Sequence, residues 1–285
     1  MPKLPSTPCL LTAPFVLMAV LHMHIIDEYI ISNAMVMPPL PAPLPAYNAT
    51  GRICVLVPVT SRKNEGWRRF EDSPLHSALF TSLKDTCEPE LFLYSIYIGY
   101  DVDDAFYNNY TTQRSMRQWT EANLPFMMLV LRMFVNPLQK PGPVMNFLSR
   151  AAYNDSCDFM YQVKDTTECL TPWSSAFVSA LHTMSLRGVV GPSCLYGNTA
   201  ILTHDFVHRG HLDIFLTHYP PELTDWWSDD WITAVYGAQH TRKLGNVFVT
   251  KRPLADARYS INWDSAARLR ALIAQGRLLT NVSDG

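Results

Sequence analysis

The run Ile53-Cys54-Val55-Leu56-Val57-Pro58-Val59 is apolar without interruption. Successive side chains of a strand point to opposite faces, so a run of this kind needs both faces covered. It fits a central strand of a helix-flanked sheet. The segments that follow keep to that plan. Ser73 caps a helix with Pro74 at its first position, and Leu75, Leu79 and Leu83 line one face of it. Leu91 to Ile98 forms the next strand and breaks at Gly99-Tyr100-Asp101, and Phe126 to Leu131 forms a third. Gly142-Pro143-Val144-Met145-Asn146 opens a short helix with Val144, Leu148 and Ala151 on one face, and this helix runs into the strand Asp158 to Val163. Strands alternating with helices predict an α/β sheet with parallel pairing. Beyond Thr171 the pattern is less regular. Thr171-Pro172-Trp173 begins a helix through Leu186, and Gly188 to Pro192 supplies a short strand.

With 285 residues and 48% apolar content, the chain can bury one core of ordinary size and carry a leader besides. A net charge of -2 and a pI near 6.5 give no basic field for nucleic acid, so polyanion binding would have to be local and no nucleic-acid partner is expected. The amino end has a different character. Cys9 to Ile26 is mostly apolar, with Lys3 before it and Asp27 and Glu28 after it, the charge order of a segment whose downstream side is translocated. Residues 1–32 therefore read as a signal-anchor or a cleaved signal peptide, which would bring the chain to a membrane. Residues 33–50, with Pro38, Pro39, Pro41, Pro43 and Pro45, read as an extended stem, or as a biased tail on a cytosolic protein. That leaves residues 51–285 as the folded domain.

Asn48, Asn109, Asn154 and Asn281 stand in Asn-x-Ser/Thr patterns, which accord with a lumenal or secreted domain. Cys54, Cys87, Cys157, Cys169 and Cys194 form an odd set with no Cys-x-x-Cys spacing, so the sequence assigns no pairing. Cys54, inside an apolar strand, reads as a buried free thiol.

The strand Asp158 to Val163 ends in Lys164-Asp165-Thr166-Thr167-Glu168. Acidic groups at the carboxyl end of an α/β strand are where open sheets place phosphate and metal chemistry. Together with the first strand and its loop through Thr60-Ser61-Arg62, this segment resembles the centre of GT-A-type glycosyltransferases, whose sugar-nucleotide site carries a DxD or DD motif at this place. The resemblance covers residues 51 to 252. It implies a single Rossmann-type mixed sheet flanked by helices. It also implies transfer of a sugar from a nucleotide-diphosphate donor to a glycan or glycoprotein hydroxyl, in the Golgi or ER lumen or after secretion. Donor contacts would fall to Thr60, Arg62, Asp101, Asn146, Arg150, Lys164 and Asp165. A divalent Mn²⁺ or Mg²⁺, acting as Lewis acid on the leaving diphosphate, would be held by Asp165, Glu168 and His204. The departure is Lys164, with a second carboxylate arriving only at Glu168. An ammonium there either pairs with diphosphate and partly replaces a metal, or marks a site that has lost metal-dependent turnover. Asp101, Asp103 and Asp104 otherwise read mainly as a solvated turn.

Trp173, Trp226 and Trp227 are the residues that would stack on the acceptor, although a Trp at the head of an amphipathic helix also packs inward. Within Trp226-Trp227-Ser228-Asp229-Asp230-Trp231, the resemblance gives Asp229 and Asp230 to the general base, with Asp230 preferred, and implies an inverting reaction. The alternative is a helix N-terminus stabilised by two acidic side chains. Three other readings stay open: a non-catalytic relative that binds nucleotide-sugar or glycan, a structural lumenal protein, and a zinc peptidase. The last rests on His204-Asp205-x-x-His208, one methylene short of the helical H-E-x-x-H of metalloproteases.

Overall fold

The computed structural model describes residues 51–64, 66–195, 198–224, 227–252 and 266–280. The expected leader and stem, residues 1–50, lie outside the described residues, as do Trp226, Asn48 and Asn281. Among the described residues no helix is long and apolar enough to cross a membrane.

The apolar run forms β1 (Arg52–Val59), and its alternating side chains enter two separate cores. Ile53, Val55, Val57 and Val59 pack with Leu79, Leu83, Phe177 and Phe206 on one face. Cys54 and Leu56 pack with Leu148, Met160, Val207 and Trp231 on the other. Parallel strands β2 (Leu93–Asp101) and β3 (Met127–Phe134) extend the sheet on one side of β1, and β4 (Phe159–Gln162) pairs in parallel on the other. The remaining strands are β5 (Thr167–Cys169), β6 (Val189–Cys194), β7 (Asp205–His208) and β8 (Thr241–Lys251), and the order across the sheet is β3-β2-β1-β4-β7-β6-β8-β5. Because β7 is antiparallel to both β4 and β6, the sheet is mixed, as expected for this α/β class.

The helices cover both faces. A π-helical turn at Leu75–Phe80 leads into α1 (Thr81–Thr86), with Leu75, Leu79 and Leu83 buried as the spacing predicts. There follow α2 (Tyr110–Asn123), α3 (Pro141–Asn154), α4 (Ser174–Thr183), α5 (Gly210–Phe215), α6 (Ser228–Val235) and α7 (Ala266–Thr280). One expectation fails at Gly99, where the strand does not break. A Cβ there would lie 2.8 Å from Val144 Cγ1 and 3.0 Å from Leu148 Cδ1, so this glycine lets α3 settle on the sheet while β2 continues to Asp101.

Cys54 is not a free thiol. It is joined to Cys157 by a disulfide with a Cα–Cα distance of 6.0 Å. The reason is topological: Cys157 precedes β4, β4 lies beside β1, and Cys54 points to the face that the end of α3 reaches. Among the described residues Cys87, Cys169 and Cys194 stand outside any disulfide.

Candidate active site at the carboxyl edge of the sheet

After β3 the chain returns to place β4 on the opposite side of β1 from β2. Open sheets form a crevice at such a reversal, outside the carboxyl ends of the strands. Two groups of side chains stand along that edge. Past β1 and β2, Arg62 Nη1 lies 2.5 Å from Asp101 Oδ2 and Arg62 Nη2 lies 3.5 Å from Asp103 Oδ1. Past β4, the Lys164 ammonium lies 3.6 Å from Asp229 Oδ2, so the end of the strand meets the first turn of α6.

Local bonding holds Lys164 in place. The Thr167 amide donates to the Lys164 carbonyl at 2.9 Å, and the Lys164 amide donates to Thr167 Oγ1 at 3.2 Å, which closes a tight turn. Asp229 is held from behind. Thr233 Oγ1 donates to the Asp229 carbonyl at 2.6 Å and accepts from the Leu202 amide at 2.9 Å. At the other end of α6, Arg277 on α7 donates to the Ala234 carbonyl at 3.1 Å, a cation on orphan helix carbonyls. Trp227, just before α6, takes the left-handed conformation with φ 70°, a strained one for a bulky side chain.

The electrostatics separate these carboxylates. Burial raises the pKa of Asp229 against the opposing pull of Lys164, with the charges of Asp205 and Asp230 adding to the rise. Burial also raises Asp230. Burial alone would raise Asp205, but His218 and the Tyr219 hydroxyl outweigh it and leave that carboxyl lowered. His204, buried and near Lys164, is pushed down to about 3 and is therefore neutral. Burial raises Asp101 despite its Arg62 partner.

Several expected site residues stand elsewhere. Trp173 is buried, with its ring 4.7 Å from that of Tyr161 and 5.8 Å from that of Phe177, so it cannot stack on a sugar. Asn146 does not face the edge: its amide group donates to the Tyr219 carbonyl at 3.0 Å and accepts from the Tyr219 amide at 2.9 Å, fastening α3 to that segment. Arg150 lies further down α3 and donates to the Leu216 carbonyl. Trp227 is half-buried against the core that contains Trp231. Of the three aspartates after β2, only Asp103 is solvated. Asp101 is buried by its Arg62 pairing, and Asp104 accepts from the Ser61 amide at 2.6 Å and the Tyr107 amide at 2.8 Å, tying the two loops together. Thr60 is buried at the end of β1 and accepts from the Arg62 amide at 3.3 Å. Further along, His240, Arg242 and Lys243 each bond a backbone carbonyl.

The expected metal ligands do not converge. The nitrogens of His204 lie 2.8 Å from Thr167 Oγ1 and 3.1 Å from Thr203 Oγ1. Glu168, next to Thr167 on β5, projects from the opposite face and lies 3.8 Å from Arg252 Nε. Asp165, ahead of both in sequence, is buried. Among the described residues no three His, Cys, Asp or Glu side chains form a group able to hold a metal ion. His204 and Glu168 therefore do not join Asp165 in the three-ligand set that the resemblance implied. The peptidase reading fails for a related reason. Asp205–His208 is a strand, not a helix, and four residues of strand separate His204 from His208 by roughly 13 Å. One zinc ion cannot bridge them.

Two features escaped the sequence reading. Gln162, the last residue of β4, is buried, and both polar atoms of its amide lack a partner among the described residues. Its sheet neighbours are Leu56 and Asp205, and it shares their face. The signal was a glutamine in an otherwise apolar strand two residues before Lys164. Behind it, His218 Nε2 donates to Asp205 Oδ1 at 2.6 Å and Tyr219 Oη donates to Asp205 Oδ2 at 2.5 Å. That pairing joins residues distant in sequence and has no local signature.

No protein-family model and no curated protein sequence matches the chain. Solved structures of similar architecture include S. aureus TarS 1-349 in complex with UDP, at 13% identity and TM-score 0.49, covering 79% of this chain and 65% of that one. The mannosyltransferase PcManGT from Pyrobaculum calidifontis, in complex with GDP-Man and Mn²⁺, is similar at 14% identity and TM-score 0.46, covering 83% of this chain and 67% of that one. This chain thus spans slightly under two thirds of the TarS fragment.

Proposed function

We propose that the chain is a glycosyltransferase that moves a sugar from a nucleotide-diphosphate donor to an acceptor hydroxyl. The observation that carries this reading is the meeting of Lys164 and Asp229 at 3.6 Å on the carboxyl edge, beside the reversal in strand order. A cation there suits an anionic leaving group. The neighbouring carboxylate Asp230, raised by burial and forming no ion pair among the described residues, suits a proton acceptor. In this reading Asp230 takes the acceptor hydroxyl proton as the oxygen attacks the anomeric carbon. The bond from that carbon to the diphosphate breaks with its electron pair leaving on phosphate, and configuration inverts. Asp229 orients Lys164. Arg62, with Asp101, flanks the nucleotide.

Two further observations support a lumenal or secreted setting, with residues 1–32 as the route into it. The Cys54–Cys157 disulfide needs an oxidising compartment. Asn109 and Asn154 are both exposed, as glycan acceptors must be, and Asn109 caps α2 through Oδ1, which leaves Nδ2 available. Loss of gel mobility differences on glycosidase treatment, together with a protease-accessible domain in sealed microsomes, would remove this part of the reading.

A panel of nucleotide-sugars read by thermal shift tests the main claim. A ligand at about 100 times its Kd adds roughly 2.7 kcal/mol, a shift of several degrees for a domain this size. One donor class should stand out, and no shift with any donor would contradict the reading. Lys164 in place of an acidic residue favours a second reading, a non-catalytic nucleotide-sugar binder. That protein would show the shift without product.

A further inference from the structure

We propose that this site holds the diphosphate of its donor on the Lys164 ammonium, without a divalent cation. The inference rests on the nucleotide-sugar reading above and concerns how that ligand is held. Lys164 follows Val163 immediately past the end of β4, and its backbone is fastened on both sides by Thr167. The stem therefore starts from a fixed point. Its head has three donors, and among the described residues only Asp229 engages it by an ion pair; at 42% side-chain exposure it can offer the others to an incoming oxygen.

The surroundings argue against a metal at this point. A divalent cation beside the ammonium would face a like charge in a part-buried setting. The expected third ligand, His204, has both ring nitrogens against threonine hydroxyls. Glu168 projects from the other face of β5 toward Arg252. Asp229, on the first turn of α6, already has Lys164 as its cation. One lysine and one aspartate thus form a neutral pair in the free protein. Arrival of a diphosphate adds negative charge and draws the ammonium from Asp229 onto phosphate oxygens, a charge-assisted contact.

Two measurements on the full chain test this. In the first, Mn²⁺ alone is titrated with wild type and with Lys164→Asp, and free Mn²⁺ is followed by electron paramagnetic resonance. Wild type should leave the free-ion signal unchanged, while Lys164→Asp, which sets a new carboxylate beside Asp229, should deplete it. In the second, calorimetry follows UDP and GDP in EDTA and in Mn²⁺. Wild type should bind one of them with the same affinity in both conditions, and Lys164→Met should weaken it by about tenfold or more with an unchanged circular dichroism spectrum. Depletion of Mn²⁺ by wild type, or tightening of its nucleotide binding by Mn²⁺ of about tenfold, would overturn the proposal while leaving the nucleotide reading intact. Absence of binding by wild type to either nucleotide in both conditions would instead remove the nucleotide reading itself.

Discussion

The two edges of one sheet use the same residue types to opposite ends. At the amino edge the carboxyl groups of Asp155 and Asp158 are both bonded. Arg52 donates its amide to Asp158 Oδ2 at 2.8 Å, Arg209 donates its amide to the Asp158 carbonyl at 2.8 Å, and Asp155 accepts from Tyr97 Oη at 2.8 Å and Arg132 Nη2 at 3.0 Å. The Cys54–Cys157 disulfide closes the same region. At the carboxyl edge Arg62 and Asp101 pair closely past β1 and β2, but past β4 the pairing is loose. Lys164 and Asp229 stand 3.6 Å apart, Asp229 and Asp230 have raised pKa values, and the Gln162 amide is buried without a partner among the described residues. Polar groups that satisfy one another stabilise a fold. Groups left poised or unsatisfied mark where a ligand completes the bonding.

The largest expected effect belongs to the carboxyl edge. Asp230→Asn should lower transfer by roughly two to four orders of magnitude while nucleotide affinity and folding stay unchanged, the usual contribution of a positioned base. Transfer rates and calorimetry on one preparation check this. Full activity in that variant would return Asp230 to a helix-capping role.

At the amino edge the effect should fall on stability instead. Replacing Cys54 and Cys157 by serine reopens a loop with a sequence separation of 103, and urea unfolding should show a loss of about 2–5 kcal/mol. Donor affinity under native conditions should not move. If it does, the two edges are coupled and the contrast fails.

His211 supports α6 from behind, accepting from Tyr236 Oη at 2.8 Å and donating to the His218 carbonyl at 2.8 Å. Burial pushes it down from 6.5 to about 3, so between those values the unfolded chain binds a proton that the folded chain refuses. Stability should therefore rise with pH through that window and be lost as pH falls below 6.5, by up to about 1.4 kcal/mol per pH unit. Urea midpoints at pH values within that window and above it, with His211→Gln as the control of shallower slope, measure it.

The smallest effect sharpens the contrast most. Gln162→Leu replaces an unsatisfied buried amide by an apolar group of similar size, and stability should stay level or rise by about 1 kcal/mol. Ligand binding should weaken at the same time. Destabilisation would mean that Gln162 is an ordinary structural residue.

How much of this was legible follows from the range of each interaction. Periodicity alone exposed β1, the α1 face of Leu75, Leu79 and Leu83, and the strand leading to Lys164, because local pattern encodes burial. What failed depended on neighbours in space. Gly99 read as a break because its partner, α3, is far along the chain. Trp173 stayed open between sugar platform and inward packing because nothing local reveals that Tyr161 and Phe177 enclose it. The His204 segment suggested a metal because spacing cannot tell a strand from a helix over so few residues. Asn146 is occupied at both ends of its amide by Tyr219, a partner 73 residues away that no local pattern reveals.

The central claim is that ligand binds at the carboxyl edge and nowhere else on the sheet. Amide hydrogen exchange with and without saturating UDP or GDP tests it most directly, since bound ligand slows local opening. Slowing confined to residues 60–64, 101–104, 163–167 and 228–232, with 52–54 and 155–158 unchanged, is the result the account predicts. Slowing at the amino-edge segments, or spread evenly over the sheet, would contradict it.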